Sequence, residues 1–171
     1  MTVPSDPGVP APRDAVGGVP LDRTLTYRLH RLHKLTDHAS QQAYLAGAGL
    51  SLGDGRCLAA VGSFEPLSVN DLAQQANVTK GQASRAAQWL AEQGLVRKSA
   101  SPVDGRGVVL TLTPQGRVAW QSIMQIIGQR NEDIFGCLTP DEQAQLSHLF
   151  DRLIERARPA SVGSARPTDE G

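Results

Sequence analysis

The chain is short of several things. It has two cysteines in 171 residues, Cys57 and Cys137, far apart and without metal-like spacing. A reduced, cytoplasmic compartment is therefore expected. No apolar run approaches the roughly 18 residues that a membrane span needs. No basic segment followed by an apolar one opens the chain, so a secretory signal is not expected. A glycine-rich phosphate loop, a nucleophile elbow and a paired-carboxylate constellation are all missing. That speaks against an enzyme and gives no reason to expect a cofactor. Net charge is also missing, with 17 basic and 17 acidic residues. This argues against a strongly basic nucleic-acid binder but is compatible with a local basic face.

What charge there is, is segregated. Thr79–Arg106 holds Lys80, Arg85, Arg97, Lys98 and Arg106 against Glu92 and Asp104, a net +3 over 28 residues. Glu132, Asp133, Asp141 and Glu142 collect later. Composition is segregated too. Residues 1–20 hold five of the eleven prolines and no aromatic residue, and 158–171 are rich in Pro, Gly, Ser and charge. Neither end offers enough apolar surface to offset its ordering entropy, so both are expected to be disordered tails. The folded body is expected at 21–157, an ordinary single-domain size.

Within it, Leu25, Leu29, Leu32, Thr36, Ala39 and Ala43 alternate steps of 4 and 3. That is one apolar stripe on a long helix over 21–46, with Arg28, Arg31, Lys34 and Gln42 opposite. Gly47 and Gly49 end it. Ser51 caps a second helix that runs to about Ser63, its first turn weakened by Gly53 and Gly55.

The most informative stretch is 67–112. Ser68 opens a short helix through Ala76, Asn77-Val78 makes a turn, and Thr79 caps the next helix. Ala83, Ala86, Ala87 and Leu90 give that helix a narrow inner face, so the two helices can approach closely. Gly94 ends it. Val96–Ala100 and Val108–Leu112 read as strands around a tip containing Pro102, Gly105 and Gly107. Helix, turn, helix, strand, tip, strand is a winged helix-turn-helix. One helix can lie in a major groove, and the basic tip can reach a minor groove. Thr113-Pro114 then starts a helix through Trp120, Ile123 and Ile134. Thr139-Pro140-Asp141-Glu142 is a capping box for a last helix ending near Ala157. The fold class is mainly α, a winged helix-turn-helix with long N- and C-terminal helices and a two-stranded β wing.

These residues resemble the MarR family of bacterial transcriptional regulators. The matching pieces are Leu50-Ser51, Leu67-Ser68-Val69-Asn70-Asp71-Leu72-Ala73, Ser84-Arg85, Leu90-Ala91-Glu92-Gln93-Gly94-Leu95-Val96, Asp104-Gly105-Arg106, Leu112-Thr113-Pro114-Gln115-Gly116-Arg117 and Leu138-Thr139-Pro140-Asp141-Glu142. They cover about 25–155 in the family's order. The resemblance implies a homodimer on helices 21–46 and 114–157, with the DNA-binding part at about 50–113. Two positions depart from the pattern. Gly105 stands where the family's wing usually has a basic residue. Gly55 stands where it often has an aromatic one, which leaves space for a larger ligand or for Phe64 or Trp89.

Lys80, Gln82, Ser84 and Arg85 fall in the first two turns of the recognition helix. Gln can read adenine and Arg guanine bidentately. Small Gly81 and Ala83 let that helix come close to DNA, and Thr79 stands at its start. Ser68, at a helix N-terminus, can present amide and hydroxyl to a phosphate or simply cap. Arg106 can enter a narrow minor groove, braced by Asp104. The expected DNA-binding set is thus Ser68, Thr79, Lys80, Gln82, Ala83, Ser84, Arg85 and Arg106, with Asp104 as wing support.

For the ligand, Arg56 can bind a carboxylate between the first two helices, which suits a small aromatic acid, a common effector class in the resembled family. Arg56, His30 and Cys57 are the candidate ligand-binding residues. Other readings are a surface ion pair for Arg56, metal sensing by His30 and His33, and oxidation sensing by Cys57. No cluster completes a metal site, and the apolar run around Cys57 favours an inert core thiol. The expected function is a dimeric regulator, a repressor released from a pseudo-palindromic double-stranded operator by a small ligand. The alternatives are a dimeric scaffold without DNA binding and a redox- or metal-sensing regulator of the same fold.

Overall fold

Side-chain caps set most of the helix starts. Ser51, Ser68, Thr79 and Thr139 each accept the amide three residues on. Such a cap contributes about 1 kcal/mol. The computed structural model describes residues 19–101 and 107–158. The two expected tails, apart from their innermost residues, therefore lie outside the described residues, as do Asp104, Gly105 and Arg106 of the wing tip. The elements are α1 (Leu25–Ala48), α2 (Leu52–Phe64), β1 (Leu67–Ser68), α3 (Val69–Gln75), α4 (Lys80–Glu92), β2 (Val96–Ala100), β3 (Val108–Leu112), α5 (Pro114–Phe135) and α6 (Pro140–Ala157).

Two local expectations shift. The first helix does not run unbroken from residue 21: Leu21–Arg23 form a 3-10 turn, and Thr24 is extended at φ −69°, ψ 141° before α1 begins. At the other end Gly47 stays helical, and Gly49 alone takes the left-handed conformation, φ 65°, that stops the helix. The wing also gains a strand. The sheet is antiparallel with order β1-β3-β2, and β1 pairs Leu67 with Leu110 and Ser68 with Val109. Two residues are too few for strand alternation to show in a sequence.

The described residues divide into two compact units, between Gly128 and Gln129. In the first unit a core gathers around Leu58 and Val61 of α2, Leu72 of α3, Leu90 of α4, Leu110 of β3 and Ile123 of α5, all fully buried. Each contributes roughly 1.5–3 kcal/mol relative to an exposed side chain. Ala83, Ala86 and Ala87 of α4 are buried as their spacing predicts. At the start of α5, the Gly116 amide donates to Thr113 Oγ1 (2.9 Å), and that hydroxyl donates to Gly94 O (2.6 Å).

The space beside Gly55 is not open, and neither Phe64 nor Trp89 fills it. A Cβ at Gly55 would lie 2.2 Å from Tyr44 Cδ1 of α1. Tyr44 thus supplies the ring from the neighbouring helix, and it is the buried residue of α1. In the second unit, Gln143 Nε2 of α6 donates to Phe135 O and Leu138 O, each at 3.2 Å, tying α6 to the end of α5. No residue of α6 is buried, and Leu149, Leu153 and Ile154 are exposed.

Candidate nucleic-acid interface and neighbouring cavity

Helix α4 separates its faces cleanly. Ala83 and Leu90 are fully buried, while Lys80, Ser84 and Arg85 are exposed. Among the described residues neither Lys80 nor Arg85 has an ion-pair or hydrogen-bond partner. Two cations are therefore free at the N-terminal half of an exposed helix, where the helix dipole also favours an anion. Ala83 leaves the expected DNA-contact set. Its side chain is 0% exposed and packs into the core, so it cannot touch a groove.

Thr79 and Gln82 are engaged with each other. Gln82 Oε1 accepts from the Thr79 amide and hydroxyl, both at 2.9 Å, and the Gln82 amide donates to Thr79 Oγ1 at 3.2 Å. The Gln82 side-chain NH2 remains for a base edge. A bidentate adenine contact would require Oε1 to leave the capping box. Ser68 is similarly committed. Its amide (3.2 Å) and hydroxyl (2.8 Å) both donate to Asp71 Oδ2. A phosphate there would have to displace a carboxylate, so capping is the role the geometry supports. On β2, Lys98 Nζ donates to Gln88 Oε1 of α4 at 2.5 Å, and Arg97 is exposed.

The same unit holds an open cavity of about 650 Å³. Its walls come from α1 (His33), α2 (Arg56, Ala59, Ala60, Ser63, Phe64), the end of α3 and the turn after it (Gln75, Ala76, Asn77), and α5 (Met124, Ile127). Apolar walls with a few convergent polar groups are the common pattern of small-molecule sites. Arg56 lies where the sequence placed a carboxylate partner, but a resident acid already faces it. Arg56 Nη2 stands 3.3 Å from Asp37 Oδ1 of α1, and His33 Nε2 is 3.2 Å from Asp37 Oδ2. These side chains are about one-third to one-half exposed. Such pairs contribute only about 0–1 kcal/mol, so an incoming carboxylate can compete for Arg56.

Two expected ligand residues are not in this cavity. His30 is exposed on α1 and outside its walls; His33, one turn on, takes the place expected of it. Cys57 is 1% exposed and lies instead against a smaller cleft of about 330 Å³ with Arg85 and Trp89. Burial, helped by the nearby Asp54 charge, pushes its thiol up to about 11. It therefore carries little thiolate at neutral pH, which suits a core residue and not a sensor. Among the described residues no group of three or more His, Cys, Asp or Glu side chains is arranged to hold a metal. Met124 and Ile127 escaped the sequence reading because nothing in an α5 apolar stripe separates cavity wall from core. Asp37 did leave a signal, sitting four residues after His33.

Comparison with known proteins bears on the fold as a whole. Residues 48–107 match the model of the MarR family. The chain is similar to the HTH-type transcriptional repressor Rv2887 of Mycobacterium tuberculosis. The two are 26% identical over 136 residues, which cover 80% of this chain and 97% of the relative. Among solved structures, a MarR-family transcriptional regulator from Silicibacter pomeroyi superposes with a TM-score of 0.75. It is 23% identical and covers 87% of this chain and 100% of its own. The structure of Rv2887 in complex with salicylic acid gives a TM-score of 0.62 at 26% identity, over 77% of this chain and 97% of that one. No helix among the described residues is long and apolar enough to cross a membrane.

Proposed function

We propose that the chain is a transcriptional regulator of the MarR family, a homodimeric repressor released from DNA by a small aromatic carboxylate; the family model over residues 48–107 and the similarity to Rv2887 support this. The observation that carries the DNA reading is α4, with Lys80, Ser84 and Arg85 outward and unpaired over a fully packed inner face. Two such helices, one per protomer, read a pseudo-palindromic duplex. The apolar stripe of α1 and the exposed apolar residues of α6 supply the surfaces that a second copy covers. Arg106 and Asp104, which lie outside the described residues, keep the roles expected from the sequence, minor-groove contact and its support.

The ligand reading rests on the cavity beside α2. Arg56 takes the carboxylate, displacing Asp37, and His33 adds a second donor. Phe64, Met124 and Ile127 cover the ring. The similarity to a protein crystallised with salicylic acid supports this ligand class.

A gel-shift titration tests the proposal, using a duplex selected from a random pool. Arg85→Ala lowers affinity by about 1–3 kcal/mol, roughly five- to 150-fold, as expected for one lost bidentate base contact. Lys80→Ala reduces the slope of log affinity against log salt by about one. Salicylate releases the wild-type protein but not Arg56→Ala. Unchanged affinity in both α4 variants refutes DNA reading by this helix.

A further inference from the structure

Glu65 occupies an unusual place between the cavity and the wing. It follows Phe64, the last residue of α2, and Ser63 and Phe64 are both cavity walls. Its carboxylate reaches two other elements. Oε2 accepts the Leu112 amide of β3 at 2.5 Å, and Oε1 accepts from Arg117 Nη2 of α5.

The sheet register explains the first bond. Leu67 pairs with Leu110, so an extended β1 would set residue 65 opposite Leu112. The strand stops short, and the Glu65 side chain accepts the amide that its backbone would otherwise have met. Leu112 is the last residue of the strand whose other end enters the wing tip. The second bond reaches a helix that also bounds the cavity. Arg117 lies seven residues before Met124, two helical turns along the same face of α5.

We infer that Glu65 is the positioning residue through which an occupied cavity moves the wing, by way of its paired contacts with the Leu112 amide and the Arg117 guanidinium. A ring between Phe64 and Met124 pushes on α2 and α5. The residue that follows α2 and the first turn of α5 meet at this carboxylate. The pair is half-buried and spans 52 residues of sequence, so its strength depends directly on the spacing of the two helices. Loosening it frees the base of β3 and tilts the wing relative to α4. The inference rests on the proposed ligand-released DNA binding and names the link within it.

The test uses the full chain, a duplex selected from a random pool, and salicylate. Operator Kd is measured with and without salicylate, and salicylate binding itself by calorimetry. In Glu65→Ala and Arg117→Ala the ratio of the two operator Kd values falls to about one, while salicylate affinity stays within about twofold of wild type. Arg117→Lys, which keeps a cation at the site, restores the ratio. In the wild type, salicylate speeds hydrogen exchange at the Leu112 amide, a readout that stands even if Glu65→Ala fails to fold. A salicylate response retained in a folded Glu65→Ala, or Leu112 exchange indifferent to salicylate, overturns the inference alone. A wild-type protein that binds no duplex, or ignores salicylate, overturns the function on which it rests.

Discussion

Helices α4 and α1 both carry an apolar stripe at helical spacing, yet only one of them is covered. In α4, Ala83, Ala86, Ala87 and Leu90 are all buried, and the polar face is left for a partner of opposite charge. In α1, Leu25 is 80% exposed, Leu29 59% and Leu35 68%, and only Tyr44 near its C-terminal end is buried. The chain therefore completes the packing of α4 by itself. It leaves the apolar face of α1 for something else to cover, and apolar surface on this scale marks an interaction site. One helix asks for a polyanion and the other for a second apolar surface.

The largest effect expected from this contrast is in α4. Leu90→Ala removes a fully buried side chain at the centre of the first unit and should cost about 2–5 kcal/mol, read as a lowered denaturation midpoint. A loss below about 1 kcal/mol would mean that the α4 face is not the packed one.

How much of this was legible beforehand follows the same division. The small-residue face of α4, both wing strands and the caps at Ser51, Thr79 and Thr139 announce themselves through local chemistry. An Ala/Leu spacing or a Thr-x-x-Glu box acts within one turn of chain. What stayed hidden depends on partners distant in sequence. β1 is too short to show a period and exists only because β3 pairs with it. The ring over Gly55 comes from Tyr44, eleven residues earlier on another helix. His30 and His33 cannot be told apart by spacing, because which of them faces the cavity depends on where α1 lies against α2. Glu65 looks like an ordinary loop acid until Leu112 and Arg117 are brought to it. Ala83 carried two incompatible readings, core and groove, and burial decides for the core.

A smaller effect sharpens the contrast at the one point where α1 is anchored. Gly55→Ala would put a methyl 2.2 Å from Cδ1 and 2.5 Å from Cε1 of Tyr44. Both belong to a buried ring that cannot swing aside freely, so the substitution should cost about 1–3 kcal/mol. Pairing it with Tyr44→Ala should recover part of that loss, because the methyl then has room. Non-additive melting midpoints in the double variant locate the coupling between α1 and α2 at this contact. Simple additivity would remove Tyr44 as the anchor.

The smallest effect on the folded unit itself is expected at Leu29, and it is the one that can break the comparison. Within one chain Leu29 is a surface residue, so Leu29→Glu should change the intrinsic stability of the first unit by no more than about 0.5 kcal/mol. If a second copy covers α1, the same change buries a carboxylate in an apolar interface, and association suffers instead. The wild-type melting temperature should then rise with protein concentration, and its sedimentation should report a dimer. The Leu29→Glu protein should sediment as a monomer, with a melting temperature independent of concentration. At high dilution the two should melt together. If both sediment with the same mass at every concentration, the stripe on α1 is merely a solvated face. The two helices would then differ only in how much of their leucine the single chain manages to cover.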